Sequence, residues 1–190
     1  MTAGLLLAAG AGRRMGTPKA LVHDTDGTSW LKRAVRALTD GGCSRVYVVL
    51  GAAAGDARAL LDGLDVEVVV ADDWADGMSA SLRAGLGAVT GEDAALVSLV
   101  DLPDVGAGVV ARVLASGSGA AVLARASYDG RPGHPVLIGR DHWERVASTV
   151  TGDVGARAYL AAREVTLVEC GDLATGRDVD APTPGQRRRT

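Results

Sequence analysis

Short apolar runs alternate with stretches of helical spacing through the first two-thirds of this 190-residue chain, and that alternation restricts the fold more than any other feature. Residues 3–8 are continuously apolar, as in a strand buried on both faces. Residues 29–38 carry helical spacing through Trp30, Leu31, Ala34, Val35 and Leu38, with Thr28 or Ser29 as cap and Gly41-Gly42 as stop. Strands are expected at 46–50, 66–70, 94–100 and 120–123, and helices at 56–61, 79–89 and 105–114. One helix between successive strands implies right-handed crossovers and a parallel sheet. The last third is less regular. Residues 131–137 hold Pro132 and Pro135 and have a strand-like end, 140–150 and 154–162 look helical, and 165–169 looks like a strand. The expected architecture is a three-layer, Rossmann-like α/β fold with an open, mostly parallel sheet. Ligands of such sheets bind beyond the carboxyl ends of the strands. That rule gathers loops 9–18, 51–54, 71–78 and 101–104 on one edge.

Composition removes several functional classes. With 47% apolar residues the chain has material for one sizeable core, so residues 1–184 read as a single domain and 185–190 as a flexible basic tail. The net charge of −3 supplies no field for nucleic acid, and the one dense basic run, Arg187-Arg188-Arg189, lies in that tail. Cys43 and Cys170 are far apart and stand in no metal-binding spacing, so they read as reduced, buried small hydrophobes. The apolar N-terminal run lacks a preceding basic region and is too short for a bilayer. A cytoplasmic protein acting on small molecules, with neither nucleic acid nor membrane as partner, is expected.

The first loop, LAAGAGRRMGTPK over residues 7–19, carries the chemistry. Gly10 and Gly12 allow a sharp turn whose backbone can approach a ligand. Successive amides in such a turn bind anions, and Arg13, Arg14 and Lys19 add positive charge. The dinucleotide pattern GxGxxG fails at Met15, and Pro18 opposes an immediate long helix. The P-loop pattern fails because Lys19 comes three residues after Gly16. Asp101, at the end of a buried strand on the same edge, can hold a magnesium ion that bridges phosphate oxygens, or cap the segment after Pro103; Asp104 suits the cap better. Residues 72–82 end at a helix start where Gly77, Met78 and Ser79 present amides, and Ser79 could equally be an ordinary cap. Trp74 is either a hydrophobic plug or a lid over a flat ligand.

The loop LAAGAGRRMGTPK resembles the opening motif of the nucleotidyltransferases that build molybdenum cofactor dinucleotides. WADGMSASLRAGL, VDLPD, GHPVLIGRDHW, GDVGARAYL and DVDAPTP resemble further motifs of that family in the same order, spanning residue 5 to about 184. The resemblance implies a fold of the nucleotide-diphospho-sugar transferase type. It also implies attack of an acceptor phosphate on the α-phosphorus of a nucleoside triphosphate, with pyrophosphate leaving. Arg14 and Lys19 match the triphosphate-binding positions, and Asp101 matches the Mg2+ ligand. The backbone of Leu7, Ala8 and Ala9, with Gly77, Met78 and Ser79, would hold base and ribose. Asp180, in DVDAPTP, is a second metal ligand or a structural cap. Trp74, His134, Asp153 and Arg157 match an acceptor-facing region, although His134 could simply pack and Arg157 could pair with Asp153. The cytidylyltransferase group fits better than the guanylyltransferases, which usually carry LAGG where Leu7-Ala8-Ala9-Gly10 stands here; the methyl of Ala9 leaves less room for a purine. Molybdopterin is then the acceptor, and a molybdoenzyme or its chaperone a partner. A sugar phosphate, methylerythritol phosphate or phospholactate acceptor would keep the same chemistry, and a nucleotide-binding accessory protein without turnover is the alternative from another class. Two departures concern the acceptor: Leu102 stands where the family often has Gln, and residues 23–27 are more acidic than usual.

Overall fold

Thr2–Leu7 forms β1, and its alternate residues enter two separate cores. Ala3, Leu5 and Leu7 face one, Leu6 and Ala8 the other, which is why an unbroken apolar run was required here. This computed structural model describes residues 1–150, 152 and 155–180. After β1 the chain forms α1 (Trp30–Asp40), β2 (Val46–Leu50), α2 (Ala54–Leu60), β3 (Glu67–Val70), α3 (Met78–Ala88), β4 (Ala94–Leu99) and α4 (Ala107–Ala115). It continues through β5 (Leu123–Tyr128), β6 (Arg131–Gly139), α5 (Trp143–Thr149), α6 (Arg157–Ala161) and β7 (Thr166–Glu169). The strand order is β3-β2-β1-β4-β6-β5-β7. β1 to β4 run parallel, β6 runs antiparallel to both β4 and β5, and β7 is parallel to β5. Helices cover both faces. The Leu6 face packs Leu31, Val35 and Leu38 of α1 with Val109, Val110 and Val113 of α4. The Leu5 face packs Leu82 and Leu86 of α3 with Trp143 and Val146 of α5 and Tyr159 and Leu160 of α6. The expected mostly parallel α/β sheet is thus present, and no helix among the described residues is long and apolar enough to cross a membrane.

Local chemistry accounts for the boundaries. Ser29 caps α1, its Oγ accepting from the Lys32 amide at 3.4 Å, and Gly42 at φ 105° ends the helix. Three sequence expectations need correction. The fifth strand begins at Leu123 rather than at 120. The proline-bearing stretch is a full strand, Arg131–Gly139, rather than a loop with a strand-like end. Pro135 is tolerated because it lies in the irregular stretch between the Arg125–Val136 and Ser127–Pro132 pairs, where the ladder demands no donor. Asp104 does not cap α4; its carboxylate accepts from the Thr175 amide and hydroxyl, both at 2.6 Å. Asp153 and the 185–190 tail lie outside the described residues.

The order of strands reverses between β1 and β4. Connections from β1 run one way to β2 and β3, while β4 pairs with the other side of β1. A crevice opens at such a switch point, between the loops that follow the two central strands. Those loops are the glycine-arginine segment after β1 and the Asp101 segment after β4.

Candidate active site

The cleft at the switch point has a volume of about 380 Å³ and is lined by the 7–15 segment, Lys19, Trp74 and its neighbours, Leu99, Val100, Asp101 and Asp180. The loop above it is built on Gly12. Its φ of 60° lies in the left-handed region, and a Cβ there would sit 1.9 Å from the Thr17 carbonyl oxygen. The Gly12 carbonyl accepts from the Gly16 amide at 2.8 Å, which closes the turn and presents Arg13 and Arg14 to solvent. Gly10 differs. A Cβ added there would meet nothing within 4 Å, so no protein neighbour requires glycine at this exposed position on the cleft wall. A single 3-10 turn, Lys19–Leu21, follows Pro18, in keeping with the break expected of that proline.

Lys19 is the centre of the polar network. Its Nζ donates to Asp101 Oδ2 at 2.5 Å and to Asp180 Oδ1 at 2.6 Å, while Arg14 Nη1 donates to Asp180 Oδ2 at 3.0 Å. Burial of the amine opposes its charge, but the hydrogen bonds and field of the two carboxylates outweigh it and raise the Lys19 pKa. The hydrogen bond and charge of Lys19, with Arg14 behind them, lower the pKa of Asp180. The segment carrying Asp180 is clipped to the β4 loop by the Val179 amide, which donates to the Asp101 carbonyl at 3.0 Å. Val179 packs against the core, and the aspartates on either side of it turn toward Asp101. Ligand atoms of Asp101, Asp178 and Asp180 all lie within 4.8 Å of one another. Asp101 Oδ1 is buried with no hydrogen-bond partner, an arrangement costly for a carboxylate unless a cation completes it. The donor set, carboxylate oxygens only, suits Mg2+ or Mn2+. Asp178 was not singled out from the sequence, although two aspartates at i and i+2 on an extended segment share a face.

The second wall comes from the segment before α3. Trp74 begins a 3-10 turn and sits against Gly51, where an added Cβ would come within 2.6 Å of its ring. The tryptophan is therefore packed on the β2 loop while one side lines the cleft. Gly77 and Met78 line the cleft too, but the Gly77 amide is already bonded to the Trp74 carbonyl at 3.2 Å. Ser79 does not reach the cleft and caps nothing. It is buried, its Oγ has no partner, and Gly77 stands at the cap position of α3. Ser81, one helical step further round, lines the cleft instead. Leu7, Ala8 and Ala9 line the floor, with Ala9 also accepting from the Ala52 amide. His134 and Arg157 are absent from this lining and lie on the β6 side of the sheet. The two departures noted in the sequence have structural work. Leu102 is core, and Asp24 of the acidic stretch pairs with Arg33 and accepts from Trp30 Nε1 at 2.6 Å, anchoring the start of α1.

Residues 4–167 match the family model described as the MobA-like NTP transferase domain. The chain belongs to the MobA-like NTP transferase family. A MobA-like architecture also explains the solved structures it resembles. A protein from Mycobacterium sp. strain JC1, described as a homologue of Mycobacterium tuberculosis Rv0371c, superposes with a TM-score of 0.82 at 30% identity, over 95% of this chain and 90% of that one. Rv0371c itself, solved as a complex with manganese, matches with a TM-score of 0.72 at 26% identity over 89% of this chain and 86% of that one. Among curated relatives, the nicotine blue oxidoreductase of Paenarthrobacter nicotinovorans is 40% identical over 186 residues, covering 93% of this chain and 91% of the relative.

Proposed function

We propose that this MobA-like protein transfers CMP from CTP to the phosphate of molybdopterin and releases pyrophosphate. The observation that carries the reading is the convergence, in one cleft at the β1/β4 switch point, of the glycine-arginine turn, Arg14 and Lys19, and Asp101 and Asp180, with Asp178 close beside the two carboxylates. The resemblance of the opening loop to cytidylyltransferases and the buried methyl of Ala9 on the cleft floor favour cytosine over a purine. In the reaction an acceptor phosphate oxygen attacks the α-phosphorus, the bond between that phosphorus and the bridging α–β oxygen breaks, and the departing pyrophosphate takes the electron pair. The chain needs no covalent nucleophile. Its cysteines are buried, and burial raises the Cys43 pKa to about 12. Gly10 leaves room for the triphosphate to lie against backbone, and Arg14 and Lys19 offset the charge that grows on the leaving oxygens. Asp101, Asp178 and Asp180 would hold a divalent ion, which supplies further neutralisation of the triphosphate when bound.

Purified protein with Mg2+, each of the four nucleoside triphosphates and molybdopterin should release pyrophosphate fastest with CTP. No release from any pair, with sugar phosphates and phospholactate also tried as acceptors, would count against transfer altogether. A second reading, oxidoreduction of a substrate in the same cleft, is favoured by the 40% identity to the nicotine blue oxidoreductase. Conversion of nicotine blue in the presence of an added two-electron reductant, without pyrophosphate release in the first assay, would select it.

A further inference from the structure

Asp178 and Asp180 sit on a stretch with no regular structure of its own. Residues 170–180 form neither strand nor helix, only turns near their start. No ladder of backbone hydrogen bonds therefore sets where an aspartate on this stretch points. A loose segment would be ordered only when an ion bound, and that ordering cost would weaken the binding. Here the stretch is held in advance by groups outside the cleft.

The holds follow one another along the chain. Arg112 of α4 comes first: Nη1 donates to the Glu169 carbonyl at 3.0 Å and Nη2 to Asp172 Oδ2 at 2.9 Å. Asp104 then takes Thr175, one carboxylate oxygen accepting from both its amide and its hydroxyl, and that hydroxyl accepts from the Arg177 amide at 3.4 Å. Gly176 follows at φ 62°, and a Cβ there would fall 2.0 Å from Tyr128 Cε2. The ring has no room to retreat. It is buried in the Leu6-side core, its hydroxyl donates to the His134 carbonyl at 2.7 Å, and a Cβ on Gly133 would come within 2.7 Å of the same Cε2. The Val179 amide on the Asp101 carbonyl closes the run. Asp178 thus lies between Gly176, seated on the ring, and Val179, clipped to the β4 loop. None of Asp104, Tyr128, Thr175 and Gly176 lines the cleft. The loop after β4 therefore supplies one carboxylate of the cluster, Asp101, and three residues later an anchor for the segment that carries the other two.

We infer that Asp104 and Tyr128 are positioning residues for the divalent-ion site. Asp104 acts through Thr175 and Tyr128 through Gly176, and together they fix residues 177–180 so that Asp178 and Asp180 meet Asp101 before an ion arrives. Neither residue touches the ion. The inference rests on Asp101, Asp178 and Asp180 as the ligand set, and so on the metal-dependent part of the transfer reading, but on neither the nucleotide nor the acceptor.

Calorimetric titration of the full chain with Mn2+ tests both roles, comparing wild type with Asp104→Ala, Thr175→Val, Thr175→Ser, Tyr128→Leu, Gly176→Ala and the double variant Tyr128→Leu/Gly176→Ala. Val35→Ala is the control, a buried change on α1 that destabilises the fold by leaving a cavity. Asp104→Ala, Tyr128→Leu and Gly176→Ala should each weaken Mn2+ binding by about tenfold, as for other groups that orient metal ligands, and Val35→Ala should leave it unchanged. Thr175→Ser should bind as wild type does and Thr175→Val more weakly. The double variant should lose no more than Gly176→Ala alone, since both changes act through one contact. Thr175 is exposed, so its two variants decide the Asp104 role even if a buried variant fails to fold. Wild-type affinity in Thr175→Val and Gly176→Ala, an equal loss in Val35→Ala, or no Mn2+ binding by wild type overturns the proposal, and losses that add in the double variant overturn its Tyr128 half. The expected losses, with no pyrophosphate release from any nucleotide, keep the positioning roles and sink nucleotidyl transfer. Transfer that keeps its wild-type Mn2+ dependence in Asp104→Ala and Gly176→Ala does the reverse.

Discussion

Replacing Lys19 by Met should make the protein less stable without a divalent ion and bind that ion more tightly. Lys19 Nζ occupies the space between Asp101 Oδ2 and Asp180 Oδ1. A cation bridging those oxygens must displace it. The lysine and Asp101 side chains are 19% and 13% exposed, while Asp180 is 45% exposed, so the cluster lies between a buried and a surface ion pair. Removing one partner of a buried pair costs about 3–5 kcal/mol, and a surface pair contributes about 0–1 kcal/mol. A loss of about 2 kcal/mol follows, equivalent to a Tm lower by about 4–8 °C in a chain of this size. In the wild type the same 2 kcal/mol opposes metal entry, so its removal should tighten Mn2+ binding by about 30-fold, at 1.4 kcal/mol per decade. Thermal melts without metal and titration calorimetry with Mn2+ measure both halves. Nucleotidyl transfer should be lost in the variant, because no ammonium remains to meet the triphosphate. An unchanged melting temperature together with unchanged Mn2+ affinity would refute the idea that lysine and ion compete for one seat.

The two loop glycines should separate cleanly: Gly12→Ala should destabilise the fold by more than about 1 kcal/mol through its positive φ and its clash with Thr17, while Gly10→Ala should leave the Tm unchanged and raise the CTP KM. Asp178→Asn should weaken Mn2+ binding in calorimetry by at least tenfold with little change in Tm, because this side chain is exposed and contributes through the ion; equal affinity would remove it from the ligand set. Glu169 accepts from the Ser127 hydroxyl and from the Gly130, Gly171 and Asp129 amides, which hold its pKa at about 2 rather than near 4.5. Because the folded value is the lower one, this stabilisation is complete above about pH 4.5 and is lost as pH falls toward 2. The Tm difference between wild type and Glu169→Gln should therefore be widest above pH 5 and shrink toward pH 2; a difference independent of pH would contradict the assignment.

The features legible in the sequence were those governed by one local rule. β1, β2 and β4 announce themselves because burial on both faces leaves only apolar side chains, and α1 because Ser29 and Gly41-Gly42 punctuate it. The switch point could be located once β1 and β4 were recognised, and with it Arg14, Lys19 and Asp101 on one edge. What escaped depends on partners distant in sequence. Pro135 speaks against a strand until the irregular stretch of β6 that holds it, between the Arg125–Val136 and Ser127–Pro132 pairs, is known. Asp104 looks like a cap because Thr175, its partner, is 71 positions away. Ser79 looks like a cap because the backbone at Gly77, φ 106°, cannot be inferred from composition. Asp178 was hidden by its exposed setting, and only the Val179 clip turns it toward Asp101.

The clip at Val179 also sets a timetable. Lys19 and Asp180 are separated by 161 positions, so during synthesis the glycine loop and the β4 loop leave the ribosome long before the segment that completes the carboxylate cluster. The central strands can pair in the interval, because β1, β2 and β4 are all contained in the first hundred residues. The emerging chain can thus acquire its glycine-arginine turn early, yet it cannot assemble the Asp101, Asp178 and Asp180 cluster until the segment after β7 has returned to the sheet edge. On this topology the carboxylate cluster forms only after the central strands and the segment beyond β7 have come together.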